Sequence, residues 1–185
     1  MSAVLVEAER PACLVERVPL DLADARERKS LLARLGNAGS PALVVTEGLL
    51  VYLDEAHVAS LADELGASFP TALWLLENVT PPVLASMKRH WDKTLQPAQA
   101  QMKFAPADGL GFLRAYGWTP SITKSLLDEA ERLGREMRLV TAIRSLSQWM
   151  PPLRAAYARR QAKFRDAVVY ALMERVGGYA RTTAI

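Results

Sequence analysis

Apolar residues along this chain fall into two kinds of run, short blocks rich in β-branched side chains and longer stretches at helical spacing. Ala42 to Thr46, opened by Pro41 and followed by Glu47-Gly48, reads as a strand buried on both faces. Thr71 to Leu76 reads as another buried strand ending at Glu77-Asn78, and the Val- and Tyr-rich Ala167 to Met173 as a late strand. Ala12 to Leu20 reads as a strand with Glu16 and Arg17 in its middle, which places it at an edge or sheet rim. Between these blocks the period changes. Asp24 reads as the N-cap of a helix over Ala25 to Leu35, with Leu31, Leu32 and Leu35 on one face and Gly36 as its stop. Asp54 caps a second helix, in which Val58, Leu61, Ala62 and Leu65 keep i, i+3, i+4, i+7 spacing up to a closing Gly66. Thr80-Pro81-Pro82 starts a third helix reaching about Leu95, because a hydroxyl cap precedes a proline that needs no helical N–H partner. Alternation of strand and helix predicts an α/β fold with right-handed crossovers.

Beyond Leu95 the pattern loosens. Gln96 to Gly109 carries two prolines and no periodicity, so a loop is expected. Leu110 to Tyr116 reads as a short helix stopped by Gly117, Trp118 to Thr123 as a short strand, and Leu126 to Leu133 as a helix. Met137 to Trp149 and Leu153 to Gln161 read as helices broken by Met150-Pro151-Pro152.

Length and composition narrow the class. A chain of 185 residues, half apolar and 23% charged, suits one globular domain spanning 1–185. A lone cysteine, Cys13, excludes an internal disulfide framework and fits a reducing compartment; inside its apolar strand it reads as an inert buried thiol. Met1 to Glu9 lacks a basic n-region and a long apolar stretch, and Ala167 to Met173 is too short to span a bilayer. These features predict a soluble cytoplasmic domain. The net charge is +3, with ten Lys or Arg against three acids from Arg132 to Arg175. No aromatic interleaving accompanies that basic stretch, so it reads as a solvated helix face rather than a nucleic-acid surface.

The residue with most chemical promise is Glu47. In open α/β sheets ligands sit outside the carboxyl ends of the strands. A carboxylate there either meets a ligand, caps the next turn or pairs with an arginine. His57 and His90 are far apart and lack partners at ligand spacing, which argues against a zinc site or catalytic triad. Trp74, Trp118 and Trp149 read as core or rim packing. Gly109-Leu110-Gly111 neither follows a clear strand nor continues to a third glycine, so it is not a dinucleotide fingerprint.

Thr46-Glu47-Gly48-Leu49-Leu50-Val51-Tyr52-Leu53 resembles the Glu-Gly-x-Leu-x-Tyr-Leu signature of leucine carboxyl methyltransferase-like proteins, which are class I S-adenosylmethionine-dependent methyltransferases. Glu16 to Leu22 is similar to that family's strand ending in Asp-Leu, and Phe112 to Trp118 to its Phe-Leu-x-x-x-Gly-Trp segment. The three occur in the family's order. The resemblance implies a Rossmann-like methyltransferase sheet, mostly parallel with an antiparallel last strand, whose hairpin partner is the strand near Trp118 to Thr123. It also implies S-adenosylmethionine as cofactor and an O-methyltransferase acting on a carboxylate or hydroxyl of a small molecule. Asp21 would accept from the adenine amine, the Leu22 backbone would donate to the ring, and Glu47 would contact the methionine end. Tyr52 would line the acceptor pocket. From the residues alone, Asp21 reads equally as a helix cap, and Tyr52 as a packed tyrosine with its hydroxyl at the surface.

The resemblance is to an N-terminally truncated domain. The family's glycine-rich loop and ribose-binding acid have no counterpart between Met1 and Pro11, where there is no glycine. Two lost hydrogen bonds to a ribose, at about 1.5–3 kcal/mol each, would weaken cofactor binding roughly 10²- to 10⁴-fold. An impaired enzyme is therefore expected. Ala12 to Leu20 is expected to close the gap by pairing in parallel with Ala42 to Thr46, unless another chain supplies that edge. The runner-up is a non-catalytic remnant acting as a dimerisation or interaction module through its exposed sheet edge; a third reading is a nucleic-acid binder using the basic stretch.

Overall fold

The computed structural model describes residues 13–36, 41–95, 100–135 and 165–176. The helices expected over Met137 to Trp149 and Leu153 to Gln161, with Trp149, lie outside them. Among the described residues, four α-helices and four strands follow in chain order: α1 (Ala25–Gly36), β1 (Leu43–Thr46), α2 (Glu55–Ser68), β2 (Leu73–Val79), α3 (Pro81–Leu95), β3 (Trp118–Ser125), α4 (Leu126–Arg132) and β4 (Val168–Arg175). Two 3₁₀ helices, Leu50–Tyr52 and Gly109–Tyr116, lie between them.

The caps act as the sequence foretold. Asp24 Oδ1 accepts from the backbone N–H groups of Arg26 and Glu27 at 2.9 and 3.0 Å, and Asp54 Oδ1 from that of His57 at 2.9 Å. Each satisfies a helix-end donor that has no partner within its own helix.

The sheet order is β1-β2-β4-β3. β1 and β2 are parallel, with Val44 beside Trp74 and Thr46 beside Leu76. β4 runs antiparallel to both β2 and β3, so β1, β2 and β3 share one direction and the last strand opposes them. This is the mixed α/β sheet with an antiparallel last strand, and the strand at Trp118 is its hairpin partner, as the resemblance implied.

One face of the sheet is packed. Trp74, Leu76, Trp118, Ala171 and Met173 meet Val58, Leu61, Ala62 and Leu65 of α2, together with Leu50, Leu53, Phe104 and Leu113. Trp74 and Trp118 sit edge to face at 5.3 Å. Their indole N–H groups donate to Thr46 Oγ1 at 2.9 Å and to the Ala62 carbonyl at 3.0 Å, so neither large ring buries an unpaired donor.

Several expectations fail, each for a tertiary reason. Residues 13–20 form no strand and do not pair with β1; Leu14 is 98% exposed and Cys13 is exposed rather than buried. Glu16 instead pairs with Arg34 of α1 at 2.9 Å, which ties the segment to a helix surface where no ladder can form. β1 is consequently an edge strand among the described residues. It is not buried on both faces, since Leu43 is 62% and Val45 54% exposed. β2 runs on through Glu77-Asn78 to Val79 because β4 offers partners that far, Tyr170 and Val169 included.

Gly66 does not stop α2 but lies inside it. A Cβ there would fall on the Arg175 guanidinium, so the missing side chain is what admits that cation. Arg175 then donates to the Tyr116 carbonyl at 3.0 Å and lies 5.6 Å over the Trp118 ring. Gly117, left-handed at φ 77°, ends the second 3₁₀ helix against the same guanidinium. Gly117→Ala is expected to destabilise the chain by about 1–2 kcal/mol, through left-handed backbone strain, read as a lowered denaturant midpoint.

Helix α1 is joined to α2 by a buried cation. Arg28 is fully buried; its Nε and Nη2 reach the two oxygens of Glu64 at 2.8 and 3.0 Å, Nη2 reaches Ser60 Oγ at 2.6 Å, and Nη1 donates to the Leu22 carbonyl. The guanidinium fork suits this many acceptors, where a lysine would not.

Candidate functional site

Strand direction decides which residues meet at the carboxyl end of the sheet. β1 ends at Thr46 and β2 at Val79, while β4, running the other way, begins at Val168. Register sets Glu77 beside Tyr170 and Asn78 beside Val169. Glu47 follows directly after β1, and the Tyr170 hydroxyl donates to its Oε1 at 3.0 Å. Gly48, at φ 59°, turns the chain off the strand, and its backbone N–H donates to Glu77 Oε2 at 3.2 Å. Two carboxylates thus stand at neighbouring strand ends, one held by a phenol and the other by a backbone amide. Among the described residues neither pairs with a cation.

That environment acts on Tyr170. Desolvation first, then its hydrogen bond to Glu47 and the charges of Glu77 and Glu47, push its phenol from 10.0 up to about 12. A phenolate beside two carboxylates is disfavoured, so the O–H stays in place. Because the folded value is raised, the stabilisation is fully present below pH 10 and is lost as pH rises towards 12. In a spectrophotometric titration of phenolate absorbance, one tyrosine should ionise near pH 12, and Tyr170→Phe should remove that late step. A titration in which the variant keeps every step of the parent would contradict the placement.

A cavity of about 80 Å³ opens beside these strand ends, lined by Gly48 to Tyr52, Glu77 to Val79, Met87 and Phe104. The Lys103 and Phe104 backbone N–H groups both donate to the Val51 carbonyl, at 2.6 and 3.1 Å, so this part of the 100–108 loop is tied to the first 3₁₀ helix. The lining is mostly aliphatic and aromatic, with Glu77, Asn78 and Tyr52 as its polar members. Pockets for drug-sized ligands run to about 300–1,000 Å³; this one admits only a few heavy atoms.

Of the residues singled out from sequence, Glu47 and Tyr52 come to this end of the sheet, Glu47 at the strand tip and Tyr52 in the cavity wall. Among the described residues, Asp21 and Leu22 form no hydrogen bond to that group and do not line the cavity. Asp21 Oδ1 accepts from the Ala23 N–H at 2.9 Å in an exposed turn, and the Leu22 carbonyl is held by Arg28. Sequence reading missed Tyr170, Glu77 and Asn78 as site residues. Glu77-Asn78 had a signal, being placed at the end of a buried strand. Tyr170 had none, because its neighbour Glu47 is 123 positions away and only the antiparallel β4 unites them.

His57 Nδ1 lies 2.8 Å from Asp54 Oδ1, the carboxylate that caps α2. The Asp54 carboxyl is held below its ordinary value, chiefly by the His57 backbone N–H. His90 Nδ1 sits 2.8 Å from the Ser86 carbonyl. Among the described residues no cluster of three or more His, Cys, Asp or Glu side chains is placed to hold a metal ion, and no helix is long and apolar enough to cross a membrane.

No family model matches the chain, and no curated protein matches it. Among solved structures it is similar to mycolic acid cyclopropane synthase complexed with SAH and CTAB. The identity is 14% and the TM-score 0.37, over 72% of this chain and 55% of that one. The chain thus spans about half the length of that structure, and a likeness of this degree carries no argument about its chemistry.

Proposed function

We propose that this chain is part of a class I methyltransferase domain. In this reading it is an S-adenosylmethionine-dependent O-methyltransferase, acting on a hydroxyl or carboxylate of a small molecule. The observation that carries the reading is the pair of carboxylates, Glu47 and Glu77, at the carboxyl ends of parallel strands with no cation of the described chain to answer them. Such a pair attracts a cationic ligand, and a carboxylate facing an ammonium makes a charge-assisted bond. When bound, S-adenosylmethionine supplies a methyl group on a positively charged sulfur.

The donor set fits the cationic end of that molecule. Glu47, its Oε1 fixed by Tyr170, would hold the ammonium. Asp21 would accept from the adenine amine and the Leu22 N–H would donate to the ring. Tyr52 would line the acceptor pocket. A cavity of about 80 Å³ takes only a fragment of the ligands, so the residues act chiefly by orienting groups at its edge. Methyl transfer is a one-step displacement in which alignment supplies most of the rate, so no acid–base pair is demanded of the chain. The test is incubation with S-adenosylmethionine tritiated on the methyl group, together with panels of small alcohols and carboxylic acids. Label in an organic-soluble ester or ether supports the reading; none, from folded protein at millimolar cofactor, contradicts it.

A second reading, a dimerisation module, is favoured by the open edge of β1 with Leu43 and Val45 exposed. An unpaired apolar strand edge invites another chain. Sedimentation that shifts with concentration, and ceases to shift in Val45→Lys, supports this reading.

A further inference from the structure

Three polar or charged residues are buried among the described ones: Arg28, Thr46 and Asn78. Arg28 is answered by Glu64, Ser60 and Leu22, and Thr46 by Trp74. Asn78, only 8% exposed, forms no side-chain hydrogen bond among the described residues. A buried carboxamide left unpaired costs about 1–3 kcal/mol, far more than an apolar residue of its size would at that position. Strand alternation places Asn78 on the packed face with Trp74 and Leu76, and there it lines the cavity. Gly109 lies beside it, where a Cβ would make only ordinary contact, 3.7 Å from Asn78 Nδ2.

We propose that Asn78 is the polar anchor of a small-ligand site in this cavity, and that its ligand carries a neutral hydroxyl on a short apolar body. A carboxamide both donates and accepts, which matches an alcohol that does the same. The apolar body packs against Leu50, Val79, Met87 and Phe104. An anionic head group is repelled by Glu77, held at Gly48 on the cavity wall, and by Glu47 nearby. A cationic head group would seek those carboxylates and leave Asn78 unanswered. The site does not require methyl transfer. Where that reading holds, the ligand is the methyl acceptor, and Asn78 selects a hydroxyl over a carboxylate.

The test compares 1-butanol, n-butylamine and butyrate, three probes of a size suited to the cavity, without any cofactor. Binding is followed by the NMR shift of the Asn78 side-chain amide in the whole chain. 1-Butanol is expected to shift that signal saturably, with butyrate and n-butylamine each at least roughly tenfold weaker. In Asn78→Leu, followed through neighbouring backbone amides, 1-butanol binding should be lost while Tm rises by a few degrees, since the unpaired amide is gone. Asn78→Ala serves if the leucine variant does not fold, with the same expected loss. No saturable shift, equal or tighter binding of butyrate or n-butylamine, or unchanged 1-butanol binding in the variant overturns the proposal. Alcohol binding without methyl transfer would sink the methyltransferase reading and leave this one standing; transfer without alcohol binding would do the reverse.

Discussion

Arg28→Met should destabilise the chain by about 3–5 kcal/mol. The guanidinium is wholly buried between α1 and α2, and removing it leaves the Glu64 carboxylate, mostly buried, facing apolar methylenes. It also frees the Leu22 carbonyl and Ser60 Oγ from their shared donor. Breaking one partner of a buried pair costs more than the pair is worth, because the remaining charge stays desolvated. The double variant Arg28→Met with Glu64→Leu should therefore recover most of the loss. Denaturant midpoints of the two single variants and the double give the coupling directly. Additive losses would mean that the two side chains do not meet in the folded chain.

Glu47→Gln should weaken S-adenosylmethionine binding about 10- to 100-fold while leaving stability nearly unchanged. Glutamine keeps an oxygen for the Tyr170 hydroxyl, so the strand end is not disturbed. What it loses is the charge, and a hydrogen bond to a charged group is worth about 1.5–3 kcal/mol. Glu77→Gln should act in the same direction, since Glu77 is the second carboxylate of the pair. Calorimetric titration of each variant against the parent measures both. Equal affinity in parent and Glu47→Gln would remove Glu47 from the binding site.

The elements were legible where local chemistry decides them. Asp24, Asp54 and Thr80-Pro81 mark helix starts by supplying acceptors or by needing no donor, and all three helices begin there. β2 and β4 were legible as strands because short, continuous apolar runs fit a packed sheet. Edge status was not. Leu43 and Val45 look like core residues in sequence, yet they are exposed because no described strand lies beyond β1. Residues 13–20 have the composition of a strand, but a strand exists only where a partner ladder does, and Glu16 is held by Arg34 instead. Gly66 looked like a helix stop; its role depends on Arg175, more than a hundred residues away. Arg28 gave no hint of burial, since its four acceptors come from two other parts of the chain.

The candidate site divides along the same line. Glu47 was marked by its place after an apolar, β-branched run, and its exposed position at the strand end follows from local sequence. Its partner Tyr170 and the neighbouring Glu77 come from strands whose register no local pattern encodes. Asn78 was marked only by its place at the end of an apolar run; that its amide is buried and without a partner among the described residues emerges only from the packing around it. Asp21 and Leu22 were marked by the same resemblance as Glu47, but neither lines its cavity: Asp21 is held in its own turn by the Ala23 N–H, and the Leu22 carbonyl is tied to α1 and α2 through Arg28.

In the proposed reading the strand-end carboxylates Glu47 and Glu77 receive a sulfonium-bearing cofactor. Calorimetric titration of the whole chain with S-adenosylmethionine tests it most directly. A saturable one-to-one heat is expected, with an affinity that falls as salt is added, as ion pairing at an open site requires. A flat titration from folded protein at millimolar cofactor would contradict it.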